Sequence, residues 1–507
     1  MFENILLGLV NVFTPFNLLI CLGGLIVGVI FGALPGFSAT MGVAVFVPFS
    51  YALEPDAALL LLSGVYCGGV YGGSIPAILL GIPGTPASAP TSFEGRALTK
   101  QGKAGQSLWL CTFASAFGGF TSSLALIFTA PLLALIALKV GPPEQVMIAI
   151  FGLSVVCMLA FDSMAKGLLV GFVSLVLATI GQDPQVGYPR FTFGSINLIG
   201  GVSLVPILIG LFSLPEVIKM LEGDGEVFME AANPGKITVA WRDIKSNVGN
   251  LIRSTLIGIG IGIVPAAGPD IAAFLAYNEA KKNSRNPGLF GRGAVDGLIA
   301  AESANNGVTG GSLIPLLSLG IPGSAPAAIF LGAMYIHGLR PGSALFNNNA
   351  EIVYTLLVGF AVINIMMYFV GILFCKTASY ILKLPRSVLA TSIVILATVG
   401  SFAINRNMFD VFQMYIAGIC GYVMVKNGYP LSPVALALLL GGMLEQALSQ
   451  TAVMYPDNIL MMFNRPYTVV FFCLVLLSFC WPLISQRIQK SMDRLNKDQS
   501  AANDSTS

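Results

Sequence analysis

The sequence predicts an all-α polytopic membrane protein made of two related halves. Three observations carry that reading. Of 507 residues, 55% are hydrophobic and only 10% charged; the mean hydropathy is +0.82; and one Gly/Pro-broken motif occurs twice. Soluble proteins run near 25% charged, so a water-soluble enzyme of this length is excluded. Gly (57) and Pro (29) are abundant, and alternating segments of about ten residues are absent, which selects helices over barrel strands. At about 20 apolar residues per span, there is room for a dozen or so.

Net charge is +2, which predicts neither nucleic acid nor any other strongly charged partner; the lipid bilayer is the partner that the apolar composition implies. The eight cysteines contain no CxxC pair and read as small packing residues; one histidine, His337, excludes a multi-His metal centre. No Lys or Arg precedes Arg96, so the first apolar stretch lacks the basic flank of a cleavable signal and is expected to stay.

Apolar runs follow one another at 16–53, 57–82, 107–138, 144–160, 164–181, 196–221, 249–277, 295–335, 350–382, 387–404, 408–425, 431–448 and 466–485. The runs 107–138 and 350–382 exceed one span, implying strong tilt or a break. The polar stretch 222–247 separates a first membrane repeat, 1–221, from a second, 248–485, and 486–507 is a polar tail.

Gly72-Gly73-Ser74-Ile75-Pro76 with Gly81-Ile82-Pro83-Gly84 returns as Gly310-Gly311-Ser312-Leu313-Ile314-Pro315 with Gly320-Ile321-Pro322-Gly323, with one residue inserted. Upstream, Gly28-x3-Gly32-x2-Pro35 matches Gly258-x3-Gly262-x2-Pro265; downstream, Pro143 matches Pro385. Equivalent loops carry opposite charge. Lys281, Lys282, Arg285 and Arg292 precede the second motif, where the first has Glu54-Pro55-Asp56; Arg96, Lys100 and Lys103 follow the first, where the second has Arg340. Basic loops stay cytoplasmic, so the two repeats are expected to be inverted, with their hairpin-like breaks meeting near the midplane. Arg487, Lys490, Arg494 and Lys497 put the C-terminus in the cytoplasm.

A helix break survives in lipid only where freed backbone groups line a cavity or meet a ligand. Paired breaks therefore point to a transporter's binding site, with helix N-termini suited to an anion and freed carbonyls to a cation. The candidate substrate ligands are the small polar residues around them: Ser38, Thr40, Ser74, Thr85, Ser88, Asn305, Asn306, Ser312 and Ser324. The membrane-depth acids Asp270 and Glu302 are candidates for a coupling cation or proton. No HExxH, GxSxG or P-loop is present, so neither catalysis nor an intrinsic ATPase is expected.

These motifs, together with Ala301-Glu302-Ser303-Ala304-Asn305-Asn306, resemble the large membrane subunit of tripartite tricarboxylate transporters, the TctA type, over residues 15–485. The resemblance implies a multi-pass permease of the bacterial inner membrane that imports tricarboxylates or dicarboxylates, generally with sodium and with no other cofactor. It implies two partners, a small membrane subunit of about four spans and a periplasmic substrate-binding protein. A stand-alone anion transporter or channel without a binding protein is the alternative.

Overall fold

The computed structural model describes residues 2–479, except 35, 138, 159–163, 184–185, 223–233, 266 and 382–385. Pro35, Pro385, residues 223–233 of the expected linker and the tail with its four basic residues lie outside the described residues. The first half comprises α1 (Phe2–Val12), α2 (Pro15–Ala33), α3 (Ala39–Ser50), α4 (Pro55–Gly72), α5 (Ser74–Leu79), α6 (Ala89–Lys100), α7 (Ala104–Ala137), α8 (Pro142–Met158), α9 (Met164–Ala178) and α10 (Leu204–Glu222). A short α11 (Trp241–Ser246) leads to α12 (Val248–Ile263), α13 (Gly268–Asn283), α14 (Val295–Leu319), α15 (Ala325–Ile336), α16 (Ser343–Asn348), α17 (Ala350–Ile381), α18 (Arg386–Asn405), α19 (Met408–Lys426) and α20 (Ser432–Met454). A last apolar helix, α21, covers Pro466–Phe479. Strand is confined to a two-residue hairpin, Gly181–Gln182 with Pro189–Arg190, among the described residues.

The chain is an all-α polytopic membrane protein. Among the described residues, eight helices are long and apolar enough to cross a membrane, fewer than the dozen the run lengths suggest. Part of the difference arises at the breaks, and part because α8, α9 and α21 have fewer than 18 described residues. Run 16–53 divides into α2 and α3, run 249–277 into α12 and α13, and run 295–335 into α14 and α15. By contrast α7 and α17, 34 and 32 residues long, run unbroken. At 1.5 Å per residue each exceeds the roughly 30 Å hydrocarbon core, so tilt or overhang, rather than a break, accommodates them.

Glycine sets the spacing of the central helices. A Cβ on Gly28 or Gly32 would run into the carbonyl of Val65 or Gly69 on α4, so α2 and α4 pack backbone to backbone, as small residues allow in lipid. The same contacts recur in the second half: Gly258 lies on Ala304, and Gly262 on Gly311. They also fix the register of the duplication. Gly72 rests on Val29 and Gly32, and Gly311 on Ile259 and Gly262. Gly72-Gly73 thus matches Gly311-Ser312 with no inserted residue, and the counterpart of Ser74 is Leu313.

The halves exchange partners. Helix α7 packs on α14 and α17 on α4; α9 packs on α20 and α19 on α10. Burial follows: 94% of the best apolar window in α4–α5 is enclosed, against 28% in α18 and in α19. The motif helices form the centre, and α18 and α19 turn apolar side chains outward.

Candidate functional site

Each break begins with a proline. Pro76 and Pro315 supply no N–H, so the carbonyl four residues earlier, on Gly72 or Gly311, loses its helical donor. The helix ends at Gly81 or Gly320, with φ of +76° and +75°, a left-handed conformation that glycine adopts without strain. The chain then folds back. Gly84 N–H donates to Gly73 O at 3.1 Å, and Gly323 N–H to Ser312 O at 3.3 Å. A Cβ on Gly84 would strike Gly32 O, and one on Gly323 would strike Gly262 O. The motif therefore takes up part of its own exposed backbone, and the open surface lies just beyond it.

That surface is a cavity of about 520 Å³ shared by both halves. Of the residues singled out from the sequence, Ser38, Thr40, Thr85 and Asp270 line it. Its wall includes Ala39, Gly268, Pro326 and Ser432, so α3, α13, α15 and α20 all open on it with their N-terminal ends. The first two come from matched positions, Ser38-Ala39-Thr40 and Gly268-Pro269-Asp270. Ser38 Oγ caps α3 by accepting from Met41 N–H at 3.1 Å. No Lys, Arg or His lines the cavity among the described residues. Its charged groups are Asp270 and Glu216; Glu216 pairs with Lys219 at 2.9 Å. Helix N-terminal dipoles and hydroxyls are thus the features that would hold an anion here.

The other candidates sit outside this lining. Ser88 Oγ lies 3.0 Å from Thr85 Oγ1. Ser74 donates one turn back across the α4–α5 junction, to Tyr71 O, 2.7 Å away. Ser312 and Ser324 meet the Tyr66 hydroxyl at 2.9 and 2.8 Å, and Ser324 also caps α15 through Ala327 N–H. Asn305 and Asn306 are fully buried and donate across to α4, at Val70 O (3.3 Å) and Cys67 O (3.4 Å). Glu302, also fully buried, accepts from Thr91 Oγ1 at 2.5 Å and Ser115 Oγ at 2.8 Å.

Two residues escape the sequence reading. Tyr66 has both its partners in the other half, so no local pattern marks it. Glu94 is fully buried. It accepts from Tyr277 Oη (2.6 Å) and from the N–H groups of Gly291 (2.6 Å), Gly293 (2.8 Å) and Ala294 (2.7 Å). Four donors offset the cost of burying its charge and tie α6 to the loop before α14. The one available signal is an acid among small residues shortly after the motif.

A family model described as the tripartite tricarboxylate transporter TctA family matches residues 18–436. The chain belongs to that family. It is a family of transporters, the large subunits of tripartite systems. A relative from Agrobacterium vitis, described as an uncharacterized 52.8 kDa protein in the TAR-I ttuC' 3' region, is 33% identical over 464 residues, 92% of each chain. A second from the same organism, an uncharacterized protein in the TAR-II ttuC' 3' region, is 33% identical over 193 residues. That match spans 38% of this chain and 80% of the relative. No solved structure matches. In this TctA-family chain the motif pair and the cavity both lie within the matched span.

Proposed function

We propose that this chain is the permease of a binding-protein-dependent secondary transporter that imports tricarboxylates or dicarboxylates across the bacterial inner membrane together with sodium. The observation that carries the reading is the cavity at which helix N-termini from both halves converge. Its volume is in the range of small-molecule sites. Its hydroxyls and helix N-terminal dipoles suit carboxylates, yet Asp270 and the lack of a base among the described lining residues oppose an anion entering alone. Moving each negative charge inward against the membrane potential costs about 2.3 kcal/mol per 100 mV. A cotransported cation offsets both penalties.

Loop contacts support an inverted arrangement of the repeats. Gln101 Nε2 donates to Arg292 O at 2.9 Å, and Glu94 holds Gly291 and Gly293. The loop after the first motif therefore meets the loop before the second. In exchange, Ser50 Oγ lies 3.4 Å from His337 Nε2, joining the loop before the first motif to the loop after the second. The first cluster holds Lys100, Lys103 and Arg292 and is assigned to the cytoplasm; the cluster near Glu54 and Asp56 then faces the periplasm.

The test is uptake of radiolabelled citrate and succinate by vesicles holding this chain and its small membrane partner. Uptake is expected only after purified binding protein is added, and to fall when choline replaces sodium at fixed pH. Full uptake without the binding protein would instead establish a stand-alone carrier. Loss with a protonophore but not with choline would make protons the coupling ion. Single cysteines at Glu54 and Lys281, on a cysteine-depleted chain, should label from opposite sides; labelling from one side would end the inverted-repeat reading.

A further inference from the structure

The cavity reaches one face of the membrane, and helix packing identifies which. Asn17 Nδ2 donates to Asp56 Oδ2 (3.2 Å), and Asn11 Nδ2 to Asn17's neighbour across the bundle, Glu351 Oε1 (3.0 Å). Helix α17 therefore starts beside the Glu54–Asp56 loop. Three consecutive spans follow, Ala350–Thr377, Ser387–Asn405 and Met408–Lys426. Three crossings carry Lys426 to the opposite side, that of Lys100 and Arg292. Helix α10 runs alongside α19 in the same sense. Ser203 meets Asp410 and Gln413 where the two begin, and Glu222 pairs with Lys426 (3.5 Å) where they end. The cavity is lined by Glu216 near the end of α10 and by Val425, Gly428 and Tyr429 at the end of α19. It thus reaches the side of the basic loops.

On the other side α3 and α15 run from the cavity to Ser50 and His337, whose Oγ and Nε2 are 3.4 Å apart. The two helices pack on each other, α3 packs on α10 and α18, and α15 packs on α10. A Cβ on Gly332 of α15 would touch Leu204, Val205 and Leu208 of α10, and Gly400 of α18 rests on Pro48 of α3. The matched helices of the second register are α13 for α3 and α6 for α15. They pack on α12, α14, α5 and α7 and on each other, and the cavity lies between the start of α13 and the α19–α20 loop.

Burial shows the same asymmetry. Ala44 and Val45 on α3 and Gly332 on α15 are buried. Gly28 matches Gly258 and Gly84 matches Gly323, so their counterparts are Phe274, Leu275 and Phe93, exposed at 40%, 46% and 46%. Phe274 lies one turn beyond Asp270 on the same face of α13, with its ring 6.4 Å from that of Phe93. Large apolar side chains stand uncovered on the side of the basic loops, at positions whose counterparts are covered on the other.

We propose that this structure is the cytoplasm-facing state of the transporter, with α3 and α15 closed on α10 and α18 as its periplasmic gate, and with Phe93, Phe274 and Leu275 as the uncovered surface of its cytoplasmic gate. The counterpart of α10 is α20, since α9 packs on α20 as α19 packs on α10. In the periplasm-facing state the contacts exchange: α3 and α15 part from α10, and the Phe93–Phe274 surface closes towards α20. Matched copies give the cycle two discrete ends, each repeating in one half the packing that the other end has in its partner.

The inference rests on the transporter reading, and its test uses no substrate. On a cysteine-depleted chain, Thr40→Cys in the cavity is labelled with a membrane-impermeant maleimide in inside-out and right-side-out vesicles. Glu54→Cys and Lys281→Cys mark the two sides. Thr40→Cys should react at least about tenfold faster from the Lys281 side; Thr85→Cys takes its place if that variant fails to fold. Gly332→Phe installs the matched residue in the periplasmic gate, where α10 leaves it no room, and should shift labelling towards the Glu54 side. Should Gly332→Phe fail to fold, Ser50→Cys with His337→Cys should be bridged by a short bifunctional thiol reagent. Cavity labelling from the Glu54 side, or equally from both, would overturn the cytoplasm-facing state. Unchanged sidedness in folded Gly332→Phe, or no bridging of the cysteine pair, would overturn the gate. One-sided labelling in a chain that takes up neither citrate nor succinate would support the gate and count against the substrate class alone.

Discussion

At the first break, Gly73 O accepts from Gly84 N–H; at the second, Ser312 O accepts from Gly323 N–H, and the turn glycines agree in φ within a degree. The side chains around these matched backbones differ. On the matched helices α4 and α14, the first half offers Ser63, Tyr66 and Cys67 where the second offers Glu302, Asn305 and Asn306. Beside the cavity, the first half has Thr40 where the second has Asp270, and Thr85 lines it where Ser324 is tied to Tyr66. The lesson is a division of labour. Backbone geometry is kept because both halves must close the same break in lipid, whereas the side chains differ because each copy packs against different neighbours.

The largest expected effect tests the shared part. Gly84→Val and Gly323→Val drive a side chain into Gly32 O and Gly262 O, a backbone clash worth about 3 kcal/mol or more. Both should lose most monodisperse protein by fluorescence-detected size exclusion. Loss in only one would show that the two breaks do not bear equal load.

Glu94→Ala comes next. It leaves the Tyr277 hydroxyl and three N–H groups without an acceptor, for about 3 kcal/mol. The matched residue in the second half is already Ala333, so Ala333→Ser should change Tm by less than about 1 °C. A tolerant Glu94→Ala would remove this asymmetry.

At the cavity, Asp270→Asn should raise the sodium concentration for half-maximal uptake by about 10- to 100-fold, and Thr40→Val should raise that for carboxylate by about tenfold. Flux against each concentration separates them; identical profiles would mean that the matched positions share one role.

The smallest contrast lies at the motif serines. Ser312→Ala removes a hydrogen bond to Tyr66 and should lower stability by about 1 kcal/mol. Ser74→Ala loses only a local bond across the α4–α5 junction and should keep Tm within about 1 °C and uptake within about twofold. Equal effects would show that Ser74 serves beyond this local bond.

Much of this was legible in the chain itself. Composition and run length determined the all-helical membrane class, because lipid leaves backbone groups no other way to be satisfied. Gly28-x3-Gly32 and Gly258-x3-Gly262 marked the close-packed pairs, and Pro76, Pro83, Pro315 and Pro322 marked the breaks, since glycine and proline act on the local backbone wherever they stand. Ser38, Thr40, Thr85 and Asp270 were found by standing next to those breaks. What only the tertiary structure decided is which polar groups share a space. Tyr66 meets Ser312 and Ser324 from the opposite half, Glu94 holds a loop some two hundred residues away, and Asn306 meets Asn364 around Cys67. It also decided the register that pairs Ser312 with Gly73, because that depends on which carbonyl each glycine touches. Local conformational preference is written residue by residue; hydrogen-bond partnership between helices arises only when packing brings distant side chains within about 3 Å of one another.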